Sequence, residues 1–381
     1  MNTATAASPT DVLNWRMRGL LLARDTATAP SNTPTPAQVV RHLTAMQGQD
    51  WYASLWAVGV RSGATRAAVH DALASGEVVR SWPMRGTVHL VPAEDLRWVQ
   101  LLTEKKVLAG VQRRREFLGL DEPTVTRVID ATGAALTGGR ALSRADLAEV
   151  WAAAGVETPG NWRYHLLWFM SQTGIIVQGP LAAPGALGRV AEPLFTLATE
   201  WIAAPRTLSG DEALTELAAR FTRGRGVVQE QDFAWWAGLG KRDTAKAFAG
   251  AAREASFVPL EVLGERFWGD PQLIDSSAQA NGETLLLPAF DEHLLGFTDR
   301  GLQLGSGHLA HVVPGNNGMF RPTVVRDGRT VATWKAKQLA TKASIEITTL
   351  PGEHVDAAEV ATAARAWATF HEAPEPEVSV S

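Results

Sequence analysis

The sequence predicts a helix-rich α+β fold. It reads as three tandem winged helix-turn-helix units followed by an antiparallel, β-barrel-like domain. Three observations predict it. A helical apolar period recurs three times, each time running into a short β-prone segment. Beyond Asn281 the texture changes to short apolar runs separated by Gly, Asn and Asp. With 381 residues, the chain is long enough for several small units.

The first unit, residues 11–93, opens with a helix over 11–24 in which Leu13, Met17, Leu20 and Leu21 share a face and Asp11 is placed to cap the N-terminus. Pro36 suits the first turn of a helix running to residue 46, and a further helix covers 65–75. Residues 78–82 and 87–91, joined through Pro83–Gly86, read as a two-stranded wing. The second unit, 94–192, has helices over 94–117, 123–136, 145–154 with Ser143 as cap, and 161–173 as candidate recognition helix; Gly174-Ile175-Ile176-Val177 opens its wing. The third, 193–275, has helices around 211–221, 231–236 and 243–254, with 257–267 as wing. In the last domain, 276–372, strands are expected at 283–290, 296–304, 319–326, 330–334 and 345–350. Arg326-Asp327-Gly328-Arg329 forms a tight hairpin there, since Asp-Gly tolerates the positive φ such a turn needs. A helix over 357–372 follows, and the acidic, Pro-containing end is expected to be disordered.

Composition narrows the chemistry. Without cysteine the chain has no disulfide, thiolate zinc site, iron–sulfur cluster or Cys nucleophile, which fits a reducing cytoplasm. The first ten residues lack basic and apolar signal-peptide regions and read as a frayed tail, and the apolar run at residues 20–23 is far too short to span a bilayer. A formal net charge of −4 argues against a basic coat over the whole surface. Two local basic stretches, Lys105, Lys106 and Arg113 to Arg115, then Arg321, Arg326, Arg329, Lys335 and Lys337, would suit one basic face. The 14 Trp sit mainly at helical spacing beside apolar residues and read as core.

One polar constellation stands out. Gln47 and Gln49 flank Gly48, with Met46 before them and the apolar run beginning at Trp51 after them. Residues i and i+2 share a face only in extended chain, and Gly48 favours leaving the helix there. On spacing alone, two polar residues at a helix end are ordinarily solvated; a polar pair in an apolar wall asks for an explanation. Alternatives are weaker. No Ser occupies a nucleophile elbow. His308 and His311 lack a further convergent ligand, so no metal is expected. Arg223-Gly224-Arg225-Gly226 lacks the phosphate-loop pattern and reads as a flexible basic loop. Asp291 and Glu292 are adjacent and diverge in direction. No cofactor is expected.

Five segments, TPAQVVRHLTAMQGQDWYASLWAVGVR, SWPMRGTVHLVP, DFAWWAGL, LLLPAFDEHLLGF and GMFRPTVVRDGRTVATW, resemble the AlkZ-like DNA glycosylases of the winged-helix DNA-binding superfamily, bacterial enzymes that excise alkylated guanines. The resemblance runs from about residue 11 to 368. It implies three winged helices and a β-barrel around a concave DNA channel. It also implies a catalytic signature of glutamine, an aliphatic residue and glutamine (aspartate in the last place in a sister branch). Here that signature is Gln47-Gly48-Gln49, and the central glycine departs from it in a way that loosens the segment or admits a bulkier adduct. The expected activity is monofunctional hydrolysis of N7-alkylated guanine, extending to bulky natural-product adducts and interstrand crosslinks, by a monomer acting on double-stranded DNA. Gln47 and Gln49 are expected jointly to orient water and stabilise the sugar cation. Arg80, Arg85 and His89 on the first wing, the helical Arg113 and Arg114, and His308, His311, Asn316, Asn317 and Arg321 are expected to touch DNA. The alternative is a non-catalytic winged-helix DNA-binding protein, a regulator or adduct-binding factor.

Overall fold

The computed structural model describes residues 5–23, 33–182, 192–254, 256–275 and 283–381. The chain divides into two compact units, one of Met1–Val69 with Leu214–Ser381 and one of His70–Ala213. Among the described residues no helix is long and apolar enough to cross a membrane.

In the first unit, helix Pro9–Gly19 is capped by Ser8, with Asp11 at N3 closing a capping box rather than serving as the cap itself. The far end of the expected helix, Arg24, lies outside the described residues, as do residues 1–4 of the expected frayed tail. Thr5–Ala6 is not frayed; it pairs in parallel with Val258–Val262. Helix Pro36–Leu43 has Thr35 and Gln38 as its capping box. Helix Trp51–Ser62 starts at Asp50, whose carboxylate accepts the Ala53 N–H, and stops at Gly63 in the left-handed conformation. Helices Gly210–Arg225, Glu230–Ala237 and Lys241–Glu254 lead into the hairpin of Val258–Val262 and Glu265–Gly269, the expected third wing.

The C-terminal sheet corrects the sequence reading. Its strands lie in the order Thr284–Leu287, Thr323–Arg326, Arg329–Gln338, Ala343–Thr349 and Pro376–Val380, and it stays open instead of closing into a barrel. Closure would need the two edge strands to bond to each other at a consistent stagger. Helix Ala357–His371 instead packs against both of them, and as a crossover it carries the last strand parallel to Ala343–Thr349, to the edge away from Thr284–Leu287. The terminal segment is therefore a strand, not a disordered tail. The expected strand at 296–304 is also replaced: Glu292–Leu295, Gly301–Leu304 and Leu309–Val312 are single helical turns. Asp327 and Gly328, with φ of 50° and 77°, make the expected hairpin turn.

The second unit contains the hairpin Val78–Met84 and Thr87–Pro92, turned through Arg85 and Gly86 at positive φ. Helices Leu96–Leu108, Val111–Leu118, Glu122–Leu136, Arg144–Ala153 and Gly160–Gln172 follow, then strands Ile176–Leu181 and Pro193–Leu197. Three helices and a strand pair follow one another from Glu122 onward. Ser143 caps Arg144–Ala153 in a capping box with Asp146. Leu147, Trp151, Leu166, Met170, Ile176 and Phe195 bury their side chains together, and the Trp151 indole N–H finds Thr132 Oγ1 at 2.8 Å.

Candidate active site

The segment carrying the two glutamines leaves its helix earlier than the sequence suggested. Helix Pro36–Leu43 ends at Thr44, which adopts φ 70° and ψ −50° with its side chain buried. The Ala45 N–H donates to Leu43 O at 2.8 Å across it, a γ-turn. Met46–Gln47 is then extended. The Gln47 amide oxygen accepts the Gln49 backbone N–H at 2.7 Å, bending the chain around buried Gly48. Gln47 is half-buried and Gln49 exposed.

A set of charged side chains lies in the interior of the same unit. The Gln47 backbone N–H donates to Glu292 Oε1 at 3.1 Å, and Glu292 Oε2 receives Arg225 Nη2 at 2.6 Å. Arg225 also reaches Leu43 O with Nη1 at 3.4 Å, and its guanidinium lies over the rings of Phe221 and Trp236 at 4.5 and 4.6 Å. Burial lowers the Arg225 pKa, while Glu292 raises it. Arg61 grips Asp291 with two bonds of 2.8 and 2.7 Å and also donates from Nε to Leu20 O and from Nη1 to Ala57 O. Burial alone would raise the Asp291 carboxyl; the Arg61 charge and hydrogen bonds outweigh it and hold it below the usual range. The His293 ring is pushed down to about 4 by burial, so it is neutral and donates from Nε2 to Gly328 O at 3.0 Å. Arg16 bonds Val227 O and Gln303 Oε1, and burial brings it down to about 10.

Asp291 and Glu292 diverge, as their adjacency implied, and face different arginines. Sequence reasoning missed what they hold. The available signal was the triplet Asp291-Glu292-His293 inside the apolar run 285–297, where uncompensated charge would be costly. Arg225, taken as part of a flexible basic loop, is fully buried at the end of helix Gly210–Arg225.

The candidate DNA-contacting residues fall into different surroundings. In the second unit, Arg80 is buried and its guanidinium donates to Gln178 Oε1 across the sheet. His89 is buried, with Nδ1 2.9 Å from Thr87 O. Arg85 is exposed on its turn, and Arg113 and Arg114 are exposed on helix Val111–Leu118, where Arg114 lies 5.3 Å from the Phe117 ring centre. In the first unit, one surface loop carries His308, His311, Asn316, Asn317 and Arg321. His308 places its two ring nitrogens on Leu304 O and Pro351 O, Arg321 donates to His311 O at 3.3 Å, and Asn317 accepts the Met319 N–H. His311, Asn316, Asn317 and Arg321 are exposed. Among the described residues no three His, Asp or Glu side chains are grouped to hold a metal ion.

An interstrand DNA cross-link repair glycosylase of Streptomyces sahachiroi is 26% identical, over 86% of this chain and 88% of that protein. The solved structure of the Streptomyces sahachiroi DNA glycosylase AlkZ superposes with a TM-score of 0.77 at 21% identity, over 99% of this chain and 100% of that one, so the fold is shared. Residues 40–370 match the family described as DNA glycosylase AlkZ-like, and the chain belongs to that family.

Proposed function

We propose that this protein is a monofunctional DNA glycosylase that hydrolyses the N-glycosidic bond of N7-alkylated guanine in double-stranded DNA, with bulky adducts and interstrand crosslinks in its scope. The observation that carries this reading is the Gln47-Gly48-Gln49 segment. The Gln47 amide oxygen is pinned by the Gln49 N–H, which leaves it a second lone pair for a water. Alkylation at N7 makes the base cationic, so it departs without a general acid. The C1′–N9 bond breaks with its electron pair going to the base, which leaves neutral. Water adds to C1′ and loses a proton to solvent, giving an abasic site. An amide dipole facing the oxocarbenium-like sugar and the incoming water is enough for this step and too feeble for an unmodified base. The interstrand scope rests on the activity of the Streptomyces sahachiroi relative.

In this reading residues 11–93, 94–192 and 193–275 act as three DNA-binding winged helices in a monomer. Exposed Arg85, Arg113, Arg114, His311, Asn316, Asn317 and Arg321 are the members of the candidate set suited to reach phosphates. Replacing Arg113 and Arg114 together should flatten the salt dependence of DNA binding by roughly two counterions.

The test is release of free 7-methylguanine from N7-methylated duplex, alongside unhooking of an interstrand-crosslinked duplex. Gln47→Ala and Gln49→Ala should each slow single-turnover release by about 100-fold or more. Because neither amide titrates, the wild-type rate should be flat through the neutral pH range. Tight DNA binding with no release from either substrate would favour a non-catalytic DNA-binding protein instead.

A further inference from the structure

A strained turn precedes the glutamines, and a buried ion pair lies behind it. Thr44 is β-branched, and its φ of 70° is a conformation such residues rarely adopt. Its hydroxyl finds no partner among the described residues, so no local hydrogen bond of its side chain rewards that conformation. Strain of this kind persists only where the surroundings over-determine it. The two ends of the turn are held by a single unit: Arg225 Nη1 bonds Leu43 O on the entry side, Arg225 Nη2 bonds Glu292 Oε2, and Glu292 Oε1 receives the Gln47 N–H on the exit side. Arg225 is itself fixed between Phe221 and Trp236. Both charged groups are buried, so the bridge is shielded from competing water.

We infer that Glu292 and Arg225 are positioning residues that clamp the Thr44 turn and thereby aim the Gln47 amide. This assignment rests on the glycosylase reading above. Neither side chain performs chemistry: both Glu292 oxygens are engaged, one by Gln47 N–H and the other by Arg225. The clamp acts through the backbone. A displacement of the amide by about 1 Å is enough to cost on the order of 100-fold in rate.

The experiment compares wild type, Glu292→Gln, Thr44→Gly and the double variant. Glu292→Gln preserves shape and an acceptor for the Gln47 N–H but removes the charge that holds Arg225. It should lower single-turnover release of 7-methylguanine by roughly 10- to 100-fold with DNA affinity unchanged within about twofold. Glycine accepts φ 70° without a penalty, so Thr44→Gly should restore much of that rate in the double variant. A residue needed only for folding would lower the folded fraction without this rescue. Hydrogen exchange is measured in parallel on the folded proteins, and Glu292→Gln should lose protection in the peptide spanning residues 44–49 while the remainder keeps it. A wild-type rate together with wild-type protection in Glu292→Gln would overturn the clamp. Selective loss of protection in Glu292→Gln, beside a wild type that releases no base, would keep the clamp and overturn the glycosylase reading instead.

Discussion

The helical core of the second unit and the interior of the first unit are built from different interactions. Around Trp151 the second unit packs Leu147, Leu166, Met170, Ile176 and Phe195, and its indole hydrogen bond reaches a residue 19 positions away. Beneath Gln47 the first unit buries Arg16, Arg61 and Arg225 with Asp291, Glu292 and His293, joining segments up to 287 residues apart. Apolar packing is non-directional and suffices to hold three helices and a wing together. Ion pairs and hydrogen bonds fix direction, and the segment carrying Gln47 rests on them.

That contrast can be broken or sharpened by mutation. The largest effect is expected at Arg61→Ala, which strands the Asp291 carboxylate in the interior and should cost about 3–5 kcal/mol in urea unfolding; the paired change Arg61→Met with Asp291→Leu should cost much less. A similar loss for the pair and the single variant would refute the idea that the first unit depends on charge compensation. Leu147→Ala in the second unit should cost about 2–5 kcal/mol through the cavity it leaves, with the 7-methylguanine release rate of the folded protein unchanged. A rate loss there would dissolve the distinction between a core that folds and a core that aims.

His293 gives the next effect, and it depends on pH. Its folded pKa of about 4 lies below the ordinary 6.5, so between these values the unfolded chain binds a proton that the native state refuses. Stability contributed by the neutral ring is complete above about pH 6.5 and lost as pH falls toward 4, by about 3 kcal/mol at most. The difference between wild type and His293→Gln in urea midpoints at pH 7 and pH 5 isolates this contribution; equal pH slopes would exclude it. The smallest change is expected for Glu359→Gln, which removes a partly exposed pair with Arg326 and should shift stability by less than about 1 kcal/mol.

Local features of the chain were legible from its residues. Ser143 and Asp146 announce a capped helix, Asp327-Gly328 a hairpin, and Gln47-Gly48-Gln49 a polar interruption in an apolar wall, because each signal lies within a few residues of what it specifies. The family was legible for the same reason, since its matching segments are short and contiguous. Only the tertiary structure decided the rest. Whether the C-terminal strands close depends on where helix Ala357–His371 sends the last strand, which no strand encodes by itself. What supports Gln47 depends on Glu292, 245 residues further on, and on an arginine that sequence alone could only read as loop. A buried charge is stable only beside its partner, and long-range partners are brought together by the folded core, not by their spacing along the chain.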